Sequence, residues 1–182
     1  MLIIIGLIII IFTIIIIFSF PQFSPIPYFP SNQTDKGIII EGLDLKNNQT
    51  VIDFGAGDGW VIFTAAEIAK KNKLNTKFIA VEINPVLTMI LHIKRLLNSN
   101  QKNIYIIRDN FFTMNFSKLL ISNSQLLTVY LYISPWLIEK TVKIIIKNFP
   151  KAKIVSYYYP VRSLKGKEKV VKGKNNLYIY QN

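Results

Sequence analysis

The residues most suited to chemistry sit in one stretch, Val51-Ile-Asp-Phe-Gly-Ala-Gly-Asp-Gly59. Three glycines at alternate positions, Gly55, Gly57 and Gly59, follow a short apolar run and precede a segment of helical periodicity. Gly55 and Gly57 permit a tight turn and, with Ala56 between them, let backbone amides approach a ligand without interference from a large side chain. Gly59 allows the following helix to pack closely on the strand. The spacing is D-x-G-x-G-x-G, with Asp53 two residues before the first glycine. The dinucleotide fingerprint is G-x-G-x-x-G, whose third glycine comes one residue later.

A carboxylate at Asp53 would repel a pyrophosphate. It suits a ligand that presents a positive amino group there, as the methionine portion of S-adenosylmethionine does. Glu82 stands at the end of the next apolar run, twenty-three residues past Gly59, where an acidic side chain can accept the two hydroxyls of a ribose. Asp109, after the third such run, has two readings: a partner for an adenine amino group, or the N-cap of the segment at Phe111. Without a ligand the glycine stretch would be a helix-opening turn and Glu82 a solvated acid. Together they read as one site.

Two further segments bear on a substrate. Tyr132-Ile-Ser-Pro-Trp136 follows the fourth strand, at the place where enzymes that methylate adenine or glutamine amines carry Asn or Asp, then Pro-Pro and an aromatic. Ser134, Pro135 and Trp136 argue against that class, while Trp136 and Tyr132 suit either a substrate channel or the core. Tyr157-Tyr-Tyr-Pro160 offers aromatic faces that can receive a lysine by cation–π contact, or aromatics that pack both faces of a sheet. His92 reads as a helix-face residue. The run Lys165–Lys174 reads as a solvated hairpin tip or a contact for anionic partners.

Composition narrows the chemistry. The 182 residues contain no cysteine and one histidine, which excludes disulfides and sulfur-based zinc sites and argues against a Ser-His-Asp triad. No metal is expected. The formal net charge of +12 favours anionic partners. Abundant Ile, Asn and Lys also fit a genome rich in A and T.

The elements that must position these residues alternate. Thr34–Leu43 reads as a short helix capped by Ser31 or Thr34, Thr50–Phe54 as a buried strand, and Trp60–Lys71 as a helix. Lys77–Val81 is a strand and Pro85 to about Asn98 a helix, proline suiting its first position. Asn103–Ile107 and Leu126–Ile133 are strands, Pro135–Asn148 a helix and Lys153–Tyr158 a strand. Lys167–Val171 and Leu177–Gln181 form a hairpin. The pattern predicts a doubly wound, mostly parallel α/β sheet whose ligand lies at the carboxyl ends of the strands.

Ahead of this lies Leu2–Phe20, in which every residue is apolar or small. As a helix it would rise about 28 Å, close to the roughly 30 Å of a bilayer core. It predicts a transmembrane anchor over 1–20 that meets membrane lipid through residues 2–20. With no basic residue before the run and all 22 after it, the positive-inside rule places the following domain in the cytoplasm. A proline- and aromatic-rich linker over 21–33 and a domain over 34–182 complete the expected organisation.

On these motifs the chain resembles the class I S-adenosylmethionine-dependent methyltransferases. It is similar in particular to the membrane-anchored ATP synthase c-subunit lysine methyltransferase family and its prokaryotic relatives. The shared features are the apolar N-terminal helix, Tyr28-Phe-Pro-Ser31, D-x-G-x-G-D-G (Asp53 to Gly59), E-x-N-P (Glu82 to Pro85), Asp109 and Pro135. Where that family usually has an arginine after G-D-G, this chain has Trp60. The resemblance implies a Rossmann-like class I methyltransferase fold, a mostly parallel seven-stranded sheet with an antiparallel C-terminal hairpin, preceded by one transmembrane helix. It implies S-adenosyl-L-methionine as cofactor, held by Asp53, Gly55, Ala56, Gly57, Gly59, Glu82 and Asp109. A substrate channel would involve Tyr28, Pro30, Ser134, Pro135, Trp136 and Tyr158. The implied partner is a protein substrate methylated on lysine at or in the membrane. RNA or small-molecule methylation and a non-catalytic cofactor-binding role are the rivals.

Overall fold

The computed structural model describes residues 2–19, 29–119 and 126–181. Among them, seven strands form one sheet: β1 (Gln49–Phe54), β2 (Lys77–Glu82), β3 (Ile104–Arg108), β4 (Leu126–Leu131), β5 (Lys153–Tyr157), β6 (Glu168–Val171) and β7 (Leu177–Tyr180). Their spatial order is β3-β2-β1-β4-β5-β7-β6. The first five run parallel, and β7 slots antiparallel between β5 and β6. The helices are α1 (Leu2–Ser19), α2 (Lys36–Leu43), α3 (Trp60–Lys71), α4 (Pro85–Leu97) and α5 (Pro135–Asn148).

The sheet forms because its central strands are apolar on both faces, the pattern of parallel strands covered twice. Every residue of β1 is buried. Ile52 and Phe54 point into a core shared with Ile138, Val142 and Ile145 of α5. Val51 faces the opposite core, built with Ile39 and Leu43 of α2, Val61, Ile62 and Ala65 of α3, and Leu91 of α4. After β1 the chain winds outward through β2 to β3, then returns to the other side of β1 at β4. The crevice between the carboxyl ends of β1 and β4 is the reversal point where such sheets bind ligands.

The helix ends follow local chemistry. Asn84 caps α4, its Oδ1 accepting from the amides of Val86 and Leu87 at 2.9 and 3.2 Å, with Pro85 at the first helical position. Before α2 the cap differs from the expected Ser31 or Thr34. Asn32 caps a 3-10 turn over Gln33–Asp35 by accepting from the Thr34 amide, and α2 starts only at Lys36.

The N-terminal segment corrects the sequence reading. Helix α1 has 18 residues, a rise of about 27 Å, at the short end of the roughly 17–25 residues of bilayer-spanning helices. Among the described residues, no helix is long and apolar enough to cross a membrane. The expected anchor over 1–20, the lipid partner through residues 2–20 and the single-pass placement with a cytoplasmic domain are therefore not supported, nor is a fold preceded by a transmembrane helix. Much of the expected linker over 21–33, and with it Tyr28, lies outside the described residues.

One buried polar knot joins distant parts of the domain. Asp35, 3% exposed, accepts from the Tyr157 hydroxyl at 2.7 Å and from the amides of Lys174 and Asn175 at 2.7 and 2.9 Å. Asn175 Nδ2 donates in turn to the Tyr157 hydroxyl at 2.7 Å. Burial pushes the Asp35 carboxyl up, but the hydrogen bonds from Tyr157, Asn175 and Lys174 outweigh it and hold it below its ordinary 3.8. Its contribution is thus complete above the unfolded value and is lost as pH falls through the lower folded one. Asp35→Ala should cost about 2–3 kcal/mol in urea denaturation at pH 7, since it strands buried donors. The gap to the wild type should hold from neutral pH down to the ordinary carboxyl value and shrink below it.

Candidate active site

The carboxyl ends of β1, β2 and β4 open into a cleft enclosing about 800 Å³, part of it continuous with solvent. Its floor is the turn between β1 and α3. Gly55, Gly57 and Gly59 have φ of +81°, +57° and +76°, the left-handed region that glycine enters without penalty. The amides of Gly55 and Ala56 donate to the Val81 carbonyl at 2.9 and 3.0 Å, which seats the turn on β2. Gly59 has a further reason to lack a side chain. A Cβ there would strike Leu91 of α4 and lie 2.6 Å from the Phe63 ring. The close approach is thus to α4 and to α3's own Phe63, where the sequence pattern suggests helix against strand.

Glu82 closes the turn from the other side. Its Oε2 accepts from the Gly57 amide at 2.8 Å, and its Oε1 accepts from the amides of Ile83 and Asn84 at 2.9 and 2.8 Å. Burial raises this carboxyl above its ordinary value, and the three amides oppose the rise. A carboxylate has about four acceptor sites, so capacity for one hydroxyl remains.

Asp53 is in the opposite situation. It lines the cleft and is 4% exposed, yet among the described residues no hydrogen-bond partner meets its carboxylate. Burial, then the charges of Glu82 and Asp58, push it up to about 8. A buried carboxyl turned into a cleft without a donor is a receptor for a cation. This is the observation that tests the fit of S-adenosylmethionine, and the residues fit: an amino group for Asp53, open backbone at the glycines, and acceptor capacity at Glu82.

Tyr130 is the register partner of Asp53 across β1 and β4. Its buried hydroxyl lies 2.8 Å from that of Ser31, which draws Phe29-Pro30-Ser31 over the cleft. The remaining wall is aromatic and apolar: Phe111, stacked on Phe54 at 5.3 Å, Phe112, Tyr132 and Ile133.

Of the residues singled out in the sequence, Asp53, Gly55, Ala56, Gly57, Glu82 and Pro30 line the cleft, while Gly59 supports it from behind. Asp109 does not line it. Its Oδ2 pairs with Lys118 at 2.8 Å and its Oδ1 accepts from the Asn110 amide. Its own amide donates to the Glu82 carbonyl at 3.2 Å, prolonging the β2–β3 ladder, so Asn110 is the residue that reaches the cleft. Ser134 and Pro135 open α5, Trp136 is 72% exposed, and none of the three is a lining residue. Tyr158, at φ +72°, has its ring 6.5 Å from that of Tyr132 and is not a lining residue. Sequence reasoning does not assign Phe29, Asp58, Asn110, Phe112 or Tyr130 to the site. The Tyr130 position becomes readable once β1 and β4 are known to be neighbours in register. Among the described residues, no group of three His, Cys, Asp or Glu side chains could hold a metal ion.

No family model matches the chain. It is 30% identical over 163 residues to a protein-lysine N-methyltransferase of Saccharolobus islandicus, covering 85% of this chain and 91% of that protein. It is 33% identical over 81 residues to a probable ribosomal RNA small subunit methyltransferase A of Methanosphaera stadtmanae. That match covers 44% of this chain and spans about a quarter (27%) of the relative's length. The crystal structure of an RNA methyltransferase from Salinibacter ruber in complex with S-adenosyl-L-homocysteine shares the fold. Its TM-score is 0.67 at 18% identity, with 84% of this chain and 93% of that one covered. The Saccharolobus protein, matched nearly end to end, shows the kinship that the cleft suggests: this chain belongs to the class I S-adenosylmethionine-dependent methyltransferases, with S-adenosylmethionine as its cofactor.

Proposed function

We propose that the protein transfers a methyl group from S-adenosylmethionine to the side-chain amine of a lysine in a protein substrate, with 34–182 as its methyltransferase domain. The observation that carries the cofactor half is the buried carboxyl of Asp53 beside the glycine turn, without a donor among the described residues. The lysine half is supported by the relative matched over 91% of its length, itself a protein-lysine N-methyltransferase. It is supported also by the aromatic wall of Phe29, Phe112 and Tyr132 and by Ser134-Pro135 standing where adenine- and glutamine-specific enzymes carry a different motif. The finer kinship with the ATP synthase c-subunit lysine methyltransferases rests on D-x-G-x-G-D-G and E-x-N-P. RNA is the second reading, favoured by the net charge of +12 and by the shorter match to a ribosomal RNA methyltransferase.

The cofactor supplies a sulfonium methyl already activated for in-line displacement, so the protein contributes chiefly placement. Asp53 receives the ammonium end, Gly55 and Gly57 bring backbone against it, and Glu82 and Asn110 face the nucleoside side. A lysine must present a neutral nitrogen. Phe29, Phe112 and Tyr132 exclude water from it, and desolvation lowers the affinity of an amine for its proton.

Methyl transfer from labelled cofactor to cell extract, resolved into protein and RNA, tests the acceptor: label on lysine of protein is expected, and label on RNA alone would transfer the proposal to the second reading. Asp53 makes the cofactor affinity depend on pH. With its carboxyl pushed up to about 8, the site is mostly protonated at pH 6.5, and an ammonium ligand favours the ionised form. Binding must then release a proton, and affinity for S-adenosylhomocysteine should rise from pH 6.5 to pH 8 and flatten above. Calorimetry in buffers of differing ionisation enthalpy reads this directly. Asp53→Asn should bind roughly 10- to 100-fold more weakly at pH 8, the range of a lost charge-assisted hydrogen bond, and should release no proton.

A further inference from the structure

One face of α4 holds the glycine turn from beneath. Leu91 fits against the bare Gly59. One helical turn later, Lys94 Nζ donates to Asp58 Oδ2 at 2.6 Å and to the Asp58 carbonyl at 2.9 Å. The other carboxylate oxygen, Oδ1, accepts from the Trp60 amide at 3.2 Å, at the first residue of α3. Asp58 lines the cleft, so this half-buried ion pair fixes a lining residue by side chain and main chain together. A second consequence is electrostatic. The groups that face Asp53 are Glu82 from β2, Asp58 from the turn and the Tyr130 hydroxyl from β4. An uncompensated Asp58 would set a third carboxylate against the first two.

We propose that Lys94 is the positioning residue of the cofactor turn: it locks Asp58 in place and screens that carboxylate from Asp53, so that the turn is preshaped for the ammonium end of the cofactor. This rests on the reading of the cleft as the S-adenosylmethionine site. Lys94 also stands in the last turn of α4, where any cation complements the helix dipole. That ordinary role would change stability and leave the pH profile of binding untouched.

The test is calorimetric titration of the full chain with S-adenosylhomocysteine from pH 6 to 9, for wild type, Lys94→Met, Lys94→Arg and Asp58→Asn. Lys94→Met should weaken binding about fivefold at pH 7, the scale of a partly exposed ion pair, and shift the affinity midpoint to higher pH. Lys94→Arg should restore most of both. Asp58→Asn should shift the midpoint the opposite way, to lower pH, because it removes the carboxylate that Lys94 screens. Lys94→Gln, which removes the charge and keeps a polar end, carries the test if Lys94→Met does not fold. Unchanged midpoints in Lys94→Met and Asp58→Asn, with Asp53→Asn still impaired, would overturn the role of Lys94 and leave the site reading intact. Absence of binding by the wild type would overturn the site reading and this proposal with it.

Discussion

Two carboxyl groups at the ends of neighbouring strands, Asp53 on β1 and Glu82 on β2, are kept from water beside one another, and the surrounding architecture is arranged around that cost. Glu82 is compensated: three backbone amides converge on it, that of Gly57 from the glycine turn and those of Ile83 and Asn84 from the residues that follow it. Asp53 has no such partner among the described residues. Its discomfort is tolerable because both faces of the sheet are covered and β1 has no room to rearrange. The unequal treatment of two like groups gives the cleft its polarity, one carboxylate shaping the turn and the other left without a donor among the described residues.

Much of this is legible in the amino-acid sequence. The alternating apolar runs mark every strand from β1 to β7 to within two residues, and helix α3 (Trp60–Lys71) can be read end to end, because buried parallel strands and amphipathic helices write their periods into the chain. Asp53, the glycines and Glu82 are readable for the same reason, standing at or just after the ends of strands. Asp109 shows where such reading stops. The β2–β3 ladder runs one residue further than the apolar pattern suggests, which turns Asp109 toward Lys118 and hands the cleft to Asn110. Tyr130 and Ser31, ninety-nine residues apart, meet only through sheet order. The apolar Leu2–Phe20 run carries a different lesson: its composition suggests a membrane span, yet among the described residues no helix is long and apolar enough to cross one.

The aromatic residues divide by depth. Phe111 and Phe54 stack within the core and give the cleft a rigid back. Tyr132 stands edge-on to Tyr157 at 5.0 Å, so a wall residue leans directly on one that belongs to the Asp35 knot. Cleft wall and structural core are therefore adjacent layers of one aromatic stack, and Tyr158, held at a positive φ, turns the chain away at its margin.

That adjacency bears on how the protein matures. Asp35 receives the amides of Lys174 and Asn175, and only four residues earlier Ser31 ties the cover of the cleft to Tyr130. Strand β7 must also slip between β5 and β6 after both have been synthesised. A ribosome releasing this chain in order would make the glycine turn early and Tyr130, the partner of Ser31, with β4, yet Asp35 would gain its two amide donors only once Lys174 and Asn175 had emerged. A nascent chain halted before the hairpin would thus carry the turn and its cover while the buried Asp35 still lacked the amides of Lys174 and Asn175.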